Sequence, residues 1–104
     1  MKIVAVTACP SGVAHTYMAA EALEKAAKEL GIEIKVETQG SIGLENELTK
    51  QDVESADAVI ITKDMGIKKV ERFKGKPVVK VGVGDAIKKA VPILKKVQAH
   101  IESK

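Results

Sequence analysis

An apolar run and a helical pattern meet at one turn in residues 3–23, IVAVTACPSGVAHTYMAAEAL. The apolar run Ile3–Ala8 is typical of a strand covered on both faces of a parallel sheet. Downstream, apolar residues recur with the spacing of one helix face, which predicts a helix from about Ala14 or His15 to Leu30. The period changes at Cys9, the only cysteine of the chain, so we expect Cys9 to lie at a strand-to-helix turn.

The residues after Cys9 have the composition of a phosphate-binding loop. Pro10, Ser11 and Gly12 are turn formers, and Val13 leads into the helix. A loop that runs directly into a helix presents unpaired backbone N–H groups and the positive end of the helix dipole to an anion. Because helix N-termini lower a thiol pKa from about 8.5 to roughly 3.5–7.5, Cys9 is a candidate thiolate nucleophile. A lone cysteine is also often a small buried apolar residue, and the loop composition alone leaves that alternative open.

Three further strands are predicted along the chain. The apolar residues Ile32, Ile34 and Val36 alternate with the charged residues Glu33, Lys35 and Glu37, which is typical of a half-exposed edge strand. The glycine-rich stretch Thr38–Asn46 is expected to be a loop. The runs Ala56–Thr62 and Val78–Val81 are the other two strands. Strands that alternate with helices predict one α/β domain with a four-stranded parallel sheet and helices on both faces.

The remaining helices are marked by capping signals. Thr49 is expected to cap a short helix in a capping box with Asp52, and a second short helical segment is expected near Ile67–Arg72. Asp85 is the expected cap of the final helix, which Pro92 either kinks or restarts.

Composition excludes several classes of function. Only two aromatic residues are present, which argues against nucleic-acid binding by base stacking. No Cys/His cluster has metal-ligand spacing, so we expect neither a metal nor another cofactor. No run approaches the ~18 apolar residues of a membrane span, and one cysteine fits a reducing cytosol. We therefore expect a cytoplasmic protein without direct membrane insertion. The absence of an obvious exposed apolar stripe predicts a monomer.

The loop is compatible with two kinds of thiol-based phosphoryl chemistry. Cysteine phosphatases place an arginine six residues after the cysteine, whereas this chain has His15 there and its only arginine is Arg72. Without that clamp, relay of the phosphoryl group to another acceptor is favoured over its hydrolysis. A small cysteine phosphatase or arsenate-reductase-like enzyme, and a non-catalytic anion-binding regulatory module, remain the alternatives.

The loop sequence resembles one known family closely. Residues Cys9–Glu21, CPSGVAHTYMAAE, are similar to the C-P-T-G-I-A-H-T-F-M-A-A-E loop of the fructose-type enzyme IIB component of the bacterial sugar phosphotransferase system (PTS). The departures are Ser11, Val13 and Tyr17, and Ser11 keeps a hydroxyl group. Further matches are Val36–Ser41, Ala56–Asp57, Arg72–Phe73 and Gly75–Lys76.

The resemblance implies a Rossmann-like IIB domain over residues 1–104, with a four-stranded parallel sheet of order 2-1-3-4. It also implies that Cys9 takes a phosphoryl group from a phosphohistidine of the IIA component and passes it to a fructose- or mannose-type sugar held by the membrane IIC component. The protein would then be a phosphotransferase of the EC 2.7.1 class, located at the inner face of the membrane through IIC.

We expect phosphate to contact the loop and first helical turn, Pro10, Ser11, Gly12, Val13, Ala14, His15 and Thr16. His15 either stabilises the thiolate or phosphoryl charge, or only caps and packs the helix. Gln39 and Asp64 follow other strands at the same sheet edge, where they either border the site or form turns.

Overall fold

A five-stranded sheet forms the middle layer of the fold. The computed structural model describes residues 1–8, 13–40, 43–64 and 66–102. The strands lie side by side in the order β3-β2-β1-β4-β5, and all neighbours are parallel except β2 and β3. In chain order they are β1 (Lys2–Thr7), β2 (Glu33–Gly40), β3 (Gly43–Glu45), β4 (Ala58–Thr62) and β5 (Val78–Val81).

Helices cover both faces of this sheet. On one face, α1, α3 and α4 share a core cluster with the sheet, and on the other face α2 and a 3-10 helix share a second cluster. The predicted α/β class and its helix-flanked sheet are therefore confirmed. The helical elements are α1 (Val13–Leu30), α2 (Lys50–Ser55), the 3-10 helix (Val70–Phe73), α3 (Val83–Lys88) and α4 (Ala90–Glu102).

Strand β1 is the centre of both cores. Ile3 and Ala5 belong to the cluster under α1, whereas Val4 and Val6 belong to the cluster under α2, and all four side chains are fully buried. Burial on both faces is what an uninterrupted apolar strand requires. The sequence prediction of a central first strand is confirmed, with its end at Thr7 instead of Ala8.

The prediction of four strands is corrected to five. The expected order 2-1-3-4 is present as β2-β1-β4-β5, but the stretch expected as a loop contains β3, which pairs antiparallel with the last three residues of β2. Gly43 starts β3 at a φ of +110°, a conformation that favours glycine. Because β3 lies outside β2, the predicted edge strand is not the outermost strand of the sheet.

The end of α1 and the start of α2 follow the predicted capping signals. Gly31 ends α1 at a φ of +70°, with the N–H groups of Gly31 and Ile32 donating to the last-turn carbonyl groups of Lys28 and Ala27. Thr49 and Asp52 form the predicted capping box of α2.

The predicted final helix is two helices, which confirms a fresh start near Pro92. Pro92 lies in the first turn of α4, where a missing N–H costs no helical hydrogen bond. The prediction that Asp85 caps the final helix is wrong, because α3 begins at Val83 with Gly82 at its N-cap. The short helix expected near Ile67–Arg72 is the 3-10 helix, which begins three residues later, at Val70, and ends at Phe73.

Candidate functional site

The four parallel strands end at one edge of the sheet, and the predicted phosphate loop leaves β1 at this edge. Cys9, Pro10, Ser11 and Gly12 lie outside the described residues, so the predicted loop is bounded here by Ala8 on one side and by α1 on the other. In open parallel sheets, ligands bind beyond this carboxyl edge.

The residue before Cys9 is fastened to the neighbouring strand. The Ala8 N–H donates to Oγ1 of Thr62 at 2.9 Å, and the same hydroxyl donates to the Ala8 carbonyl oxygen at 3.1 Å. Thr62 ends β4 and is 1% exposed. One side chain therefore pairs both backbone polar groups of Ala8, at the point where the chain leaves the sheet.

The first turn of α1 contains a buried hydroxyl group that pairs with no other described residue. Thr16 is 1% exposed, and its carbonyl oxygen accepts a 3.2 Å bond from Oγ1 of Thr7. Within the described part of the chain, Oγ1 of Thr16 has no partner. Buried hydroxyl groups are normally paired, so an unpaired one calls for an explanation, such as a bound ion.

A cleft of about 350 Å³ lies beside this turn and contains two of the predicted site residues. His15 and Asp64 both line it, together with Met18 and four residues of α3. His15 is exposed, as is Ala14. Oδ1 of Asp64 accepts the Val83 N–H at 2.7 Å, so Asp64 anchors the start of α3 and also borders the cleft.

Gln39 is buried in a polar network next to the end of β2. Its Nε2 donates to Oε2 of Glu37 at 2.8 Å, and Glu37 is fully buried. The same carboxylate oxygen accepts a 2.6 Å bond from Arg72, and the other carboxylate oxygen accepts the Leu48 N–H at 2.9 Å. Glu37 therefore joins β2 to the segments before α2 and within the 3-10 helix.

The ionisation of Glu37 follows from these contacts. Burial alone would raise the pKa of its carboxyl group, but the hydrogen bonds from Arg72, Gln39 and Leu48 outweigh burial and hold the pKa below its usual range. Glu37 is therefore a carboxylate, and its charge is balanced by the only arginine of the chain.

Gln39 also holds the loop after β4. Its Oε1 accepts the Lys68 N–H at 2.8 Å, and its Nε2 donates to the Lys68 carbonyl oxygen at 3.0 Å. The side chain thus pairs both backbone polar groups of Lys68, as Thr62 does for Ala8. Gln39, which was expected in a loop after a strand, is instead a residue of β2 whose side chain fixes a neighbouring loop at the carboxyl edge.

The comparisons with known proteins agree with this architecture. A family model described as "PTS system, Lactose/Cellobiose specific IIB subunit" matches residues 4–96. The "PTS system fructose-like EIIB component 2" of Escherichia coli (strain K12) is 70% identical over 100 residues, covering 96% of this chain and 94% of that protein. The chain belongs to the fructose-type IIB components of the phosphotransferase system.

Solved structures and longer relatives support the same family. This IIB component has a TM-score of 0.91 to the solution structure of an Enzyme IIB subunit of the PTS system from Escherichia coli K12, at 45% identity, with 98% and 94% of the two chains covered. It is also 53% identical to part of the "PTS system fructose-specific EIIABC component" of Bacillus subtilis (strain 168), covering 91% of this chain and 15% of that protein. The family recognised from the loop sequence is confirmed, and with it a phosphotransferase role in sugar transport.

Three residues of this edge were not predicted from the sequence. Glu37 was placed on an exposed strand face, whereas it is buried, and Arg72 and Thr62 were given no role. For Glu37 and Arg72, the family resemblance was the signal that could have indicated a role, because its matching stretches include both residues. Thr62 carried no signal beyond its place at the end of an apolar strand.

Among the described residues, no helix combines the length and the hydropathy that crossing a membrane demands.

Replacing the buried carboxylate should lower stability in a pH-dependent way. In Glu37→Gln, one amide oxygen replaces two carboxylate oxygens that accept three bonds, and Arg72 loses its counter-charge, so we expect a loss of roughly 3 kcal/mol in the free energy of unfolding at pH 7. Because the folded pKa is lowered, the contribution of Glu37 is complete above its ordinary pKa of 4.5 and is lost as the pH falls through the folded pKa. Urea unfolding of the wild type and the variant from pH 7 to pH 3 measures the difference between their free energies of unfolding, which should narrow as the pH falls.

Glu33→Gln is the matched control, because Glu33 lies on the same strand with a side chain that is 73% exposed. We expect it to change the free energy of unfolding by less than about 0.5 kcal/mol. Equal losses in the two variants, or a Glu37→Gln deficit that stays constant down to pH 3, would contradict the assignment of a buried, ionised Glu37.

Proposed function

We propose that Cys9 carries the phosphoryl group in sugar uptake. It accepts the group from a phosphohistidine of the IIA component and passes it to a fructose- or mannose-type sugar held by the membrane IIC component. The protein then acts at the inner face of the membrane through its association with IIC. Membership of the family supports this relay, as does the fusion of a similar sequence into the EIIABC relative.

The observation that carries the proposal is the hydroxyl group of Thr16, which has no hydrogen-bond partner among the residues that the structure describes. It is buried in the first turn of α1, the helix that follows Cys9. A phosphoryl group on Cys9 would supply the missing acceptor, and the α1 dipole would stabilise its charge. Ser11 and the backbone N–H groups from Ser11 to Thr16 are the other proposed donors.

The two transfer steps balance as nucleophilic displacements at phosphorus. In the first, the Cys9 thiolate attacks in line, the S–P bond forms, and the P–N bond to the donor imidazole breaks. In the second, a sugar hydroxyl oxygen attacks, the O–P bond forms, the hydroxyl proton leaves to a base, and the S–P bond breaks to restore the thiolate.

The position of Arg72 favours relay over hydrolysis. Cysteine phosphatases use an arginine to clamp the phosphoryl oxygens, but the only arginine of this chain is bound to the Glu37 carboxylate. Little of the phosphoryl group is then lost to water before the second transfer, which passes it to the sugar. A cysteine phosphatase would instead release inorganic phosphate steadily, and a non-catalytic anion-binding module would take up no phosphoryl group.

Cys9→Ser should abolish phosphorylation by the phosphorylated fructose-type IIA component, because a serine hydroxyl is not ionised near neutral pH. Intact-mass spectrometry should show a gain of one phosphoryl group on the wild type and none on the variant, with circular dichroism confirming that both are folded. Discharge on addition of IIC and sugar should follow. Equal labelling of both proteins, or steady release of inorganic phosphate from the wild type, would contradict the relay.

Thr16→Val should separate phosphoryl binding from stability. Removing a buried, unpaired hydroxyl should leave the free energy of unfolding unchanged or slightly higher. Losing a donor to a charged phosphoryl group, at about 1.5–3 kcal/mol, should slow transfer by roughly tenfold or more. Quenched-flow phosphorylation and urea unfolding measure the two effects.

Thr16→Ser keeps the hydroxyl group and serves as the control, which should transfer at close to the wild-type rate. If Thr16→Val transfers as fast as Thr16→Ser, or loses stability without any change in rate, Thr16 does not contact the phosphoryl group.

A further inference from the structure

The loop after β4 presents positive charge at the carboxyl edge. Lys63, at the start of the loop, and Lys68, near its end, are both exposed. We call these two residues the basic loop surface. Lys69, the next residue, pairs with Glu47, and the one carboxylate of the loop, Asp64, accepts a backbone N–H of α3. Because β4 neighbours β1 in the sheet, this surface stands beside the strand that leads to Cys9.

Lys68, near the end of this loop, is held from the end of β2. Gln39 is 7% exposed and makes hydrogen bonds to both the N–H and the carbonyl oxygen of Lys68. Lys69 follows in the left-handed region, at φ +62° and ψ +32°. Residues other than glycine adopt this conformation only where surrounding contacts enforce it. Gln39 supplies such a contact one residue earlier, and Glu37 holds Gln39 in place at 2.8 Å.

We propose that Gln39, supported by Glu37 and Arg72, is a positioning residue that fixes Lys68 of the basic loop surface for docking of a negatively charged phosphoprotein donor. This inference rests on the proposed function. A histidine-linked phosphoryl group carries negative charge, and complementary charge beside a site speeds productive encounter between two proteins. A loop fixed before binding also loses less conformational freedom when the complex forms.

The proposal predicts a defect in donor docking without a defect in thiol chemistry. In Gln39→Leu, which loses both bonds to Lys68, the KM for the phosphorylated fructose-type IIA component should rise by about threefold or more, with kcat within about twofold of the wild type. Alkylation of Cys9 by iodoacetamide should proceed at the wild-type rate. Lys68→Gln should raise KM similarly and should weaken the dependence of kcat/KM on ionic strength.

Matched controls lie away from this loop. Gln51→Leu replaces an exposed amide on α2, and Lys28→Gln replaces an exposed lysine near the far end of α1; both should keep the wild-type KM and salt dependence. Lys68→Gln is a surface change, so it tests the docking surface even if Gln39→Leu fails to fold.

Two results would overturn the inference. One is a wild-type KM and salt dependence in Lys68→Gln. The other is a folded Gln39→Leu whose KM is unchanged, or whose Cys9 alkylation slows together with transfer. If the wild type itself takes no phosphoryl group, the proposed function fails first, which distinguishes the two failures.

Discussion

Burial of β1 on both faces is the constraint on which the rest of the molecule depends. A strand with no exposed side chain must pair on both edges and be covered by helices on both faces, and β2, β4 and the two helical layers meet that requirement. The end of this strand is thereby fixed in the middle of the carboxyl edge. The chain then leaves the sheet towards α1 at the position where open parallel sheets bind ligands.

Side-chain hydrogen bonds to the backbone help to assemble the edge around that point. Thr62 pairs both polar groups of Ala8, Gln39 pairs both polar groups of Lys68, and Asp64 accepts the N–H that starts α3. Each bond satisfies a backbone group beyond the end of a strand, where the sheet ladder no longer reaches. The described part of the edge is therefore held by its own side chains, which would lower the cost of the proposed docking and transfer.

The sequence predicted elements whose signal is local and missed those that depend on distant partners. β1 and α1 have uninterrupted apolar and helical patterns, and the α2 capping box needs only Thr49 and Asp52. β3 has three residues and exists because it pairs with β2, so no local pattern marks it. Glu37 alternates like an exposed residue, and its burial depends on Arg72, which is 35 positions away. Thr16 was expected to contact phosphate from its place in the loop motif, but its unpaired hydroxyl is a property of the folded chain.

The central claim is that a preassembled edge receives a phosphoryl group at the start of α1. It is tested most directly by comparing amide ¹H–¹⁵N spectra of the protein before and after phosphorylation by the IIA component. The account predicts the largest shifts in the first turn of α1, including Thr16, with little change at Lys68, because Gln39 already holds that amide. Unchanged α1 resonances in a phosphorylated sample, or large shifts at Lys68, would contradict it.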